Sequence, residues 1–590
     1  MLLDSTIKQK NDPKMLKMLT PCLPYLVIFA FSLIMVAGQI KTQSVIVGSD
    51  ALFHYNRFYE TAMQLKTGHF SYFISLFGFE HSARIANALY GPYFAYFQGG
   101  LLLLSGNWFT YQVLSRILLG LLAGCSMYRL LRRVELSKLA AVLLSLVFIC
   151  TFSVQYWTFR QGFSSWGAAI LPWALIPAVD LIKTRDFQVL RLAAATALML
   201  QVHVLSTLFL VLVYIPFFVT GFIHSQHKVK LIKKVALAVL ISITLSLNIL
   251  VSLYQVSSKN NLVEPFINHH LYQSTVTANS YQWLLTPFVL VVIMVLSAFW
   301  ILKRGRASSL LLKVSAVSCL FFFVLSSSFF PWKQISLLDL TVFNIIQFPF
   351  RFFIPTTVLL FLVFELLLVE QANPIPTKRL NVLLVLALSF SFVQVNMGVS
   401  QRLTQFLNAD QPIKTQKHQF VKGDANQIRQ AFFSKNLEDL LQLVVKSTPD
   451  YLPTDKNNTQ NKYVLYEKYV LGSTVDLTYK QDRDTLTLTW QANDDKEVSM
   501  PVVIYHNTKV MLNHQVLSAK DYRLTGIKSL ILKQKAGLNQ LTLSYCIEPY
   551  FYATLGVNLF AWLLVISLSI VKYKRNSTTS HLLNQPEGFK

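Results

Sequence analysis

Acidic side chains are scarce in this chain. Its 590 residues hold 28 Asp and Glu against 53 Lys and Arg, a formal net charge of +25. Residues 400–552 take 15 of those acids and 19 of the bases, which leaves 13 acids against 34 bases elsewhere. Few carboxylates remain there for an ion relay. Cysteine is scarcer still: Cys22, Cys125, Cys150, Cys319 and Cys546 are scattered, and only Cys546 lies in the large polar segment. That pattern excludes a disulfide framework and a thiolate metal site. No glycine-rich phosphate loop occurs, which argues against an ATP-driven transporter. No internal repeat is evident. No small-residue cleavage pattern follows the first apolar run, which therefore reads as an uncleaved helix. No basic stripe with interleaved aromatics marks a soluble domain, so no nucleic acid is expected as a partner.

What the chain does have is apolar sequence. Hydrophobic residues make up 53% and aromatics 13%, and the mean hydropathy is +0.45. This is the composition of a polytopic membrane protein, and its basic balance suits anionic headgroups or a phosphorylated lipid. Apolar runs lie near 23–40, 90–106, 111–131, 139–157, 163–182, 187–223, 232–254, 281–302, 309–328, 350–370, 380–398 and 553–572. The predicted fold is a polytopic α-helical membrane protein of about 12–14 transmembrane helices. The run 187–223 is too long for one straight crossing at about 1.5 Å per residue, and a break at His203 would make it two.

The expected organisation is a basic cytoplasmic N-terminus (1–22), a membrane domain (23–398) with a long external loop (41–89), and an extracytoplasmic mostly-β domain (399–552). A final transmembrane helix (553–572) and a cytoplasmic tail (573–590) follow. Phe58, Tyr59, Met63, Leu65, Phe70 and Phe73 in the first loop suggest short helices lying in the interface. Asp484–Trp490 alternates strictly, as a half-buried strand does. One conflict stays open. Lys8, Lys10, Lys14 and Lys17 at one end, and Lys572, Lys574 and Arg575 at the other, place both termini inside. Counting 187–223 once satisfies that parity but puts Arg129, Arg132 and Arg133 outside, against the positive-inside rule. Splitting it moves them inside and makes the count odd.

The stretch Val47–Arg57 stands out. Asp50, His54 and Arg57 fall at i, i+4 and i+7, on one helical face just beyond the first span. Ionisable groups at the mouth of a membrane span mark a functional site; the plainer reading of Asp50 is a helix cap. Glu80 and Arg84 form a second polar group in the same loop. Two carboxylates there would bind a divalent cation, Mg or Mn, or one would take a proton from a hydroxyl. Glu60 reads as a solvated acid. Asp180, Glu365 and Glu370 end spans, where snorkelling or pairing is the ordinary explanation, and Asp339 lies in an external loop. Arg351, in Gln347-Phe348-Pro349-Phe350-Arg351, falls in the first turn of a span, where a guanidinium suits a phosphate. Arg160 reads as a helix-end arginine. His203 is a packing residue unless its helix is broken there. His269 and His270 read as loop residues.

The order of these motifs resembles the GT-C class of polytopic glycosyltransferases. More narrowly it is similar to the bacterial YfhO-like membrane proteins and to those named 6-pyruvoyl-tetrahydropterin synthase-related membrane proteins. The residues that carry the likeness are Gly48–Arg57, Tyr90-Gly91-Pro92-Tyr93, His203-Val204-Leu205-Ser206, Gln347–Phe352 and Asp450-Tyr451-Leu452-Pro453. No soluble pterin site or histidine-rich zinc set accompanies them. The resemblance implies a GT-C-like fold and an integral-membrane glycosyltransferase. Its donor would be a sugar on polyprenyl phosphate, and its acceptor a cell-envelope polysaccharide or lipid on the outer face. Asp50 would be base or metal ligand and Glu80 its partner. His54, Arg57, Arg84, Arg160, His203 and Arg351 would bind substrate. The alternatives are a transporter or flippase for a lipid-linked glycan, and a non-catalytic envelope scaffold.

Overall fold

The computed structural model describes residues 21–304, 307–338, 345–370, 375–413 and 418–582. Most of the N-terminal basic segment, Asp339 and the last residues of the tail lie outside the described residues, as do the side chains of Lys574 and Arg575. Eight described helices are long and apolar enough to cross a membrane: Leu23–Thr42, Trp108–Arg133, Lys138–Arg160, Ser164–Thr184, Val204–Ile223, Pro349–Val369, Thr377–Asn408 and Pro549–Lys572. Lys228–Thr244 with Leu247–Ser257, bent by 62°, makes a ninth. Three shorter apolar helices, Val189–Val202, Val289–Lys303 and Leu310–Ser326, lie among them, which makes twelve apolar segments among the described residues, eight or nine of them long enough to cross. At about 1.5 Å per residue those three rise only some 21–26 Å, short of a 30 Å hydrocarbon core, so length alone does not qualify them.

Contacts at the helix ends show that these twelve segments alternate between two faces. Trp108 donates to Leu437 O on one face, and Arg133 pairs with Asp180 on the other. Ser309 hydrogen-bonds Glu370 on that second face, while Val276 joins Ser326 on the first. The start of the first described helix belongs to the second face, where Tyr25 lies against Arg129 and Tyr128. The loops of that face are basic: Arg129, Arg132, Arg133, Lys183, Arg191 and Lys234 gather there around Glu135, Asp180 and Asp186.

Two departures from the sequence expectation remove the parity conflict together. The run 90–106 forms helix Pro92–Ser105, which does not cross. Gly91, at φ +71, opens it and Gly106, also at φ +71, ends it, and both of its ends lie on the first face. It packs on helix Ala51–Thr67, where Thr61 Oγ1 donates to Ala95 O at 2.8 Å. The run 187–223 does break at His203, whose φ −159 and ψ 111 separate Val189–Val202 from Val204–Ile223. One crossing is lost and one gained. The arginine-rich turn then falls on the face where the first described helix starts.

The first loop is not a set of interfacial helices. Ala51–Thr67 is one helix, and Phe58, Tyr59 and Phe73 are buried; Leu65 and Phe70 are exposed. The reason lies above them. The segments 255–280 and 345–352 and the C-terminal region close over the first face. Leu262 bridges Pro453, Asn268 Nδ2 donates to Gln347 O, and Phe73 stacks on Tyr545.

The C-terminal region is more helical at its start than expected, since helix Thr377–Asn408 runs on into it. A small two-stranded sheet follows, β1 (Gln419–Val421) with β2 (Val444–Lys446). The sandwich proper spans 478–545. One sheet has the order β3 (Thr478–Asp482), β4 (Thr485–Ala492), β10 (Gly537–Tyr545), β6 (Thr508–Leu512), β7 (Gln515–Val516), and the other β5 (Glu497–Val503), β9 (Ser529–Lys533), β8 (Tyr522–Leu524). The alternation seen at 484–490 is strand β4, Thr485–Ala492, which buries every second side chain. Leu486, Leu488, Leu541 and Leu543 from one sheet and Met500, Val502 and Leu530 from the other are fully buried, as sheet-on-sheet packing requires.

Candidate functional site

Segment 47–50 is pressed onto the turn after helix Phe152–Arg160. Gly48 is required there, because a Cβ would lie 2.2 Å from Arg160 Cα. Gly48 N donates to Gln161 Oε1, and Asp50 N donates to Arg160 O at 3.1 Å. Asp50 then occupies the N-cap position of Ala51–Thr67, yet its side chain makes no capping hydrogen bond. Its carboxylate is half-buried and, among the described residues, has no hydrogen-bonded or ion-paired side-chain partner. The capping role is therefore not what holds this acid here.

His54 and Arg57 follow on the inner face, 4% and 0% exposed. The His54 ring stacks on Phe163 with centroids 4.0 Å apart. Burial and the neighbouring Arg57 push its pKa well below the ordinary value, so the imidazole is neutral. Arg57 Nη1 lies 3.3 Å from His54 Nδ1, Nε donates to Asn87 Oδ1 at 2.9 Å, and Nη2 donates to Tyr90 O. Burial pulls its pKa down to about 10, leaving it charged. The guanidinium lies 4.4 Å from the centroid of the Tyr90 ring, a cation–π contact. With its donors spent on neutral partners, Arg57 positions Tyr90.

Tyr90 is the hub. Its ring lies 6.0 Å from His54, 6.1 Å from His203 and 6.4 Å from Tyr451. The break at His203 is thus placed at the site, with Nδ1 and Ser206 Oγ 2.8 Å apart. Gly91 brings the chain so close to Gln201 that a Cβ would lie 2.0 Å from Gln201 O. Arg351, at the start of Pro349–Val369, is within electrostatic reach of Asp50, Tyr90 and Tyr156. Its Nη1 donates to Gln347 Oε1 at 2.7 Å, while Nε is buried without a partner.

A strap from the C-terminal region, 446–453, forms the opposite wall. Lys446 Nζ donates to Ser49 O. Arg84, 0% exposed, donates to Thr448 O at 2.6 Å and to Asp450 O. Tyr451, at φ +65, is pinned by its own N–H on Val263 O at 3.0 Å and by Tyr505 Oη on its carbonyl at 3.1 Å. Asp450 follows Arg84 into the site. Burial raises its pKa, Arg84 and Lys446 act against that, and Asp50 is near enough to add to it.

Glu80 is not beside Asp50. It sits behind Arg84 in a left-handed turn where Phe79, Glu80, His81 and Ala83 all have φ near +55. Such residues cost about 1–2 kcal/mol each and persist only where surroundings fix them. Here Phe79 N donates to Asn56 Oδ1 at 2.6 Å, and Glu60 clamps the preceding backbone. Tyr466 Oη donates to Glu80 at 3.3 Å, and burial raises the Glu80 pKa to about 7. The expected acid pair, Asp50 with Glu80, is thus replaced by Asp50 with Asp450. Glu60 is no solvated acid either. It is 2% exposed and accepts from Leu76 N, Phe77 N, Gly78 N and Gln64 Nε2. Arg160 joins the site through its backbone; its side chain lies near Tyr156 and Arg402. Glu365 is fully buried rather than snorkelling, and its oxygens have no hydrogen-bond partner.

No protein-family profile matches the chain, and no curated protein matches it. Among solved structures, the cryo-EM structure of the arabinofuranosyltransferase AftD from mycobacteria is similar at 15% identity and a TM-score of 0.41, over 64% of this chain and 27% of that one. The chain therefore spans about a quarter of that protein's length. The likeness to YfhO-like proteins rests on the sequence motifs alone.

A metal fits these residues poorly. Among the described residues no three His, Cys, Asp or Glu side chains come together as a ligand set. Asp50 and Asp450 are flanked by Arg84, Lys446 and Arg351, so the local charge favours an anion over a dication. Two cavities of about 10 Å³, each with room for about one water, lie beside Glu60 and Arg116. Lys446 and Tyr451 were not foreseen. The motif Asp450–Pro453 was visible, but nothing in it indicated a position across from residue 50.

Proposed function

We propose that the chain is an integral-membrane glycosyltransferase that moves a sugar from a polyprenyl-phosphate carrier to a cell-envelope acceptor. The observation that carries this reading is the Asp50 carboxylate. It stands at a helix cap without capping, half-buried, among cations it does not pair with. In the reaction, Asp50 takes the proton of an acceptor hydroxyl as that oxygen attacks the anomeric carbon. The bond from that carbon to the carrier phosphate breaks, the phosphate keeps the electron pair, and the anomeric centre inverts. Arg351 meets the charge that grows on the phosphate, since its buried Nε is a donor that no protein group satisfies. Arg57 and His54 hold Tyr90 and the helix behind Asp50. Arg84 holds the strap.

The basic face carrying Arg129, Arg132 and Arg133 is the cytoplasmic one by the positive-inside rule, which puts Asp50 on the extracytoplasmic side. Purified protein given a labelled polyprenyl-phosphate sugar separates this reading from a flippase or a scaffold. Release of polyprenyl phosphate is expected, coupled to labelling of an acceptor. Binding or translocation with the donor intact would contradict it.

A further inference from the structure

Two free carboxylates face one another across the site, and their neighbours differ. Arg351, which opens a membrane-spanning helix, lies within reach of Asp50. Asp450 belongs to the strap, which is tied by Lys446 to Ser49 O, by Arg84 at Thr448 O, and by Tyr451 to Val263, Tyr505 and the Tyr90 ring. Asp50 thus has a cation from the start of a membrane-spanning helix and an acid from the C-terminal strap within electrostatic reach. Asp450 is half-buried, and its side chain has no ion-paired partner among the described residues although Arg84 and Lys446 are close. Those two cations donate to backbone carbonyls instead, which fixes the strap, and the carboxylate's own hydrogen bond is to the Asp450 backbone N–H. An ionised carboxylate open on one side is a strong acceptor for hydroxyl donors.

We propose that Asp450 is the acceptor-side acid of this site, and that its carboxylate binds the hydroxyls of a carbohydrate acceptor while Arg351 holds the carrier phosphate on the other side of Asp50. This rests on the glycosyl-transfer reading and assigns its two substrates to opposite walls. Arg84 is then a positioning residue, because it sets where Asp450 stands by gripping the backbone on either side of Pro449. The strap is firmly held: Tyr451 takes a left-handed conformation, and Lys446, Arg84 and Tyr505 anchor the backbone around Asp450.

The test uses the full chain in lipid nanodiscs. Asp50→Cys and Asp450→Cys are each reacted with N-ethylmaleimide, and adducts are located by mass spectrometry. Both cysteines are expected to react. Polyprenyl phosphate added to the nanodisc slows Asp50→Cys at least tenfold and Asp450→Cys less than twofold. Equal slowing of the two, or an unreactive Asp450→Cys, overturns the placement of Asp450. Slowing of neither shows that the carrier does not dock beside Asp50; the glycosyl-transfer reading then fails at its own step and the assignment falls with it. As a second measurement, Asp450→Asn raises the acceptor KM about tenfold or more, the loss of a charge-assisted hydrogen bond, and leaves the KM for the polyprenyl-phosphate sugar unchanged. A raised donor KM with an unchanged acceptor KM would overturn the proposal.

Discussion

Glu60 and Asp50 lie ten residues apart on the same loop and helix, yet the fold treats them oppositely. Glu60 is enclosed, and four N–H donors from Gln64 and the 76–78 backbone satisfy it. Asp50 is left half-buried with none. The first carboxylate is structural: it clamps the backbone just before Phe79, Glu80, His81 and Ala83, which take left-handed conformations. The second is withheld from the structure although the cap position offers it an obvious use. A chain with so few acids in its apolar part spends one on folding and keeps another unpaired, and that difference separates a scaffold residue from a chemical one.

The comparison breaks most visibly at Glu60. Glu60→Ala would leave three buried backbone N–H groups without an acceptor, at about 1–3 kcal/mol each. Loss of the folded protein, or a fall in melting temperature of many degrees, is expected in detergent; an unchanged melting curve would mean the cage carries no load. Next comes the cation. Arg351→Ala is expected to weaken polyprenyl-phosphate binding about 10- to 100-fold while leaving the fold intact, since a charge-assisted pair contributes about 1.5–3 kcal/mol. Arg351→Lys should recover only part of this, because a point charge does not replace a planar fork.

The smallest effect sharpens the third acid of the loop. The Glu80 pKa is raised above its ordinary value to about 7, so the folded state favours the protonated form. Its contribution is fully present at low pH and is lost as pH rises through about 7. Between pH 5 and pH 8 the wild-type melting temperature should therefore fall by about 2–4 °C more than that of Glu80→Gln. Parallel curves for the two proteins would contradict the buried position.

Much of this was legible in the sequence because it depends on local pattern. The spacing of Asp50, His54 and Arg57 put them on one helix face. The excess length of 187–223 pointed to the break at His203, and the alternation of 484–490 to a strand. What was not legible depends on distance in the chain. The helix Pro92–Ser105 has the apolar content of a span, and only its packing on Ala51–Thr67 shows that both its ends stay on one face. Glu60 looked solvated because its partners are backbone N–H groups, which every sequence has. Asp450 stands 400 residues from Asp50, and no periodicity reports a strap that Arg84 and Lys446 hold across a site. Glu80 is the nearer acid in sequence, yet the left-handed turn carries it behind Arg84.

The most direct measurement is single-turnover release of polyprenyl phosphate from a labelled polyprenyl-phosphate sugar, comparing wild type with Asp50→Asn at equal, folded concentrations. The account predicts release by wild type and a rate at least about 100-fold lower in the variant, the contribution of a general base, with donor affinity and melting temperature unchanged. Release by Asp50→Asn at the wild-type rate would contradict it.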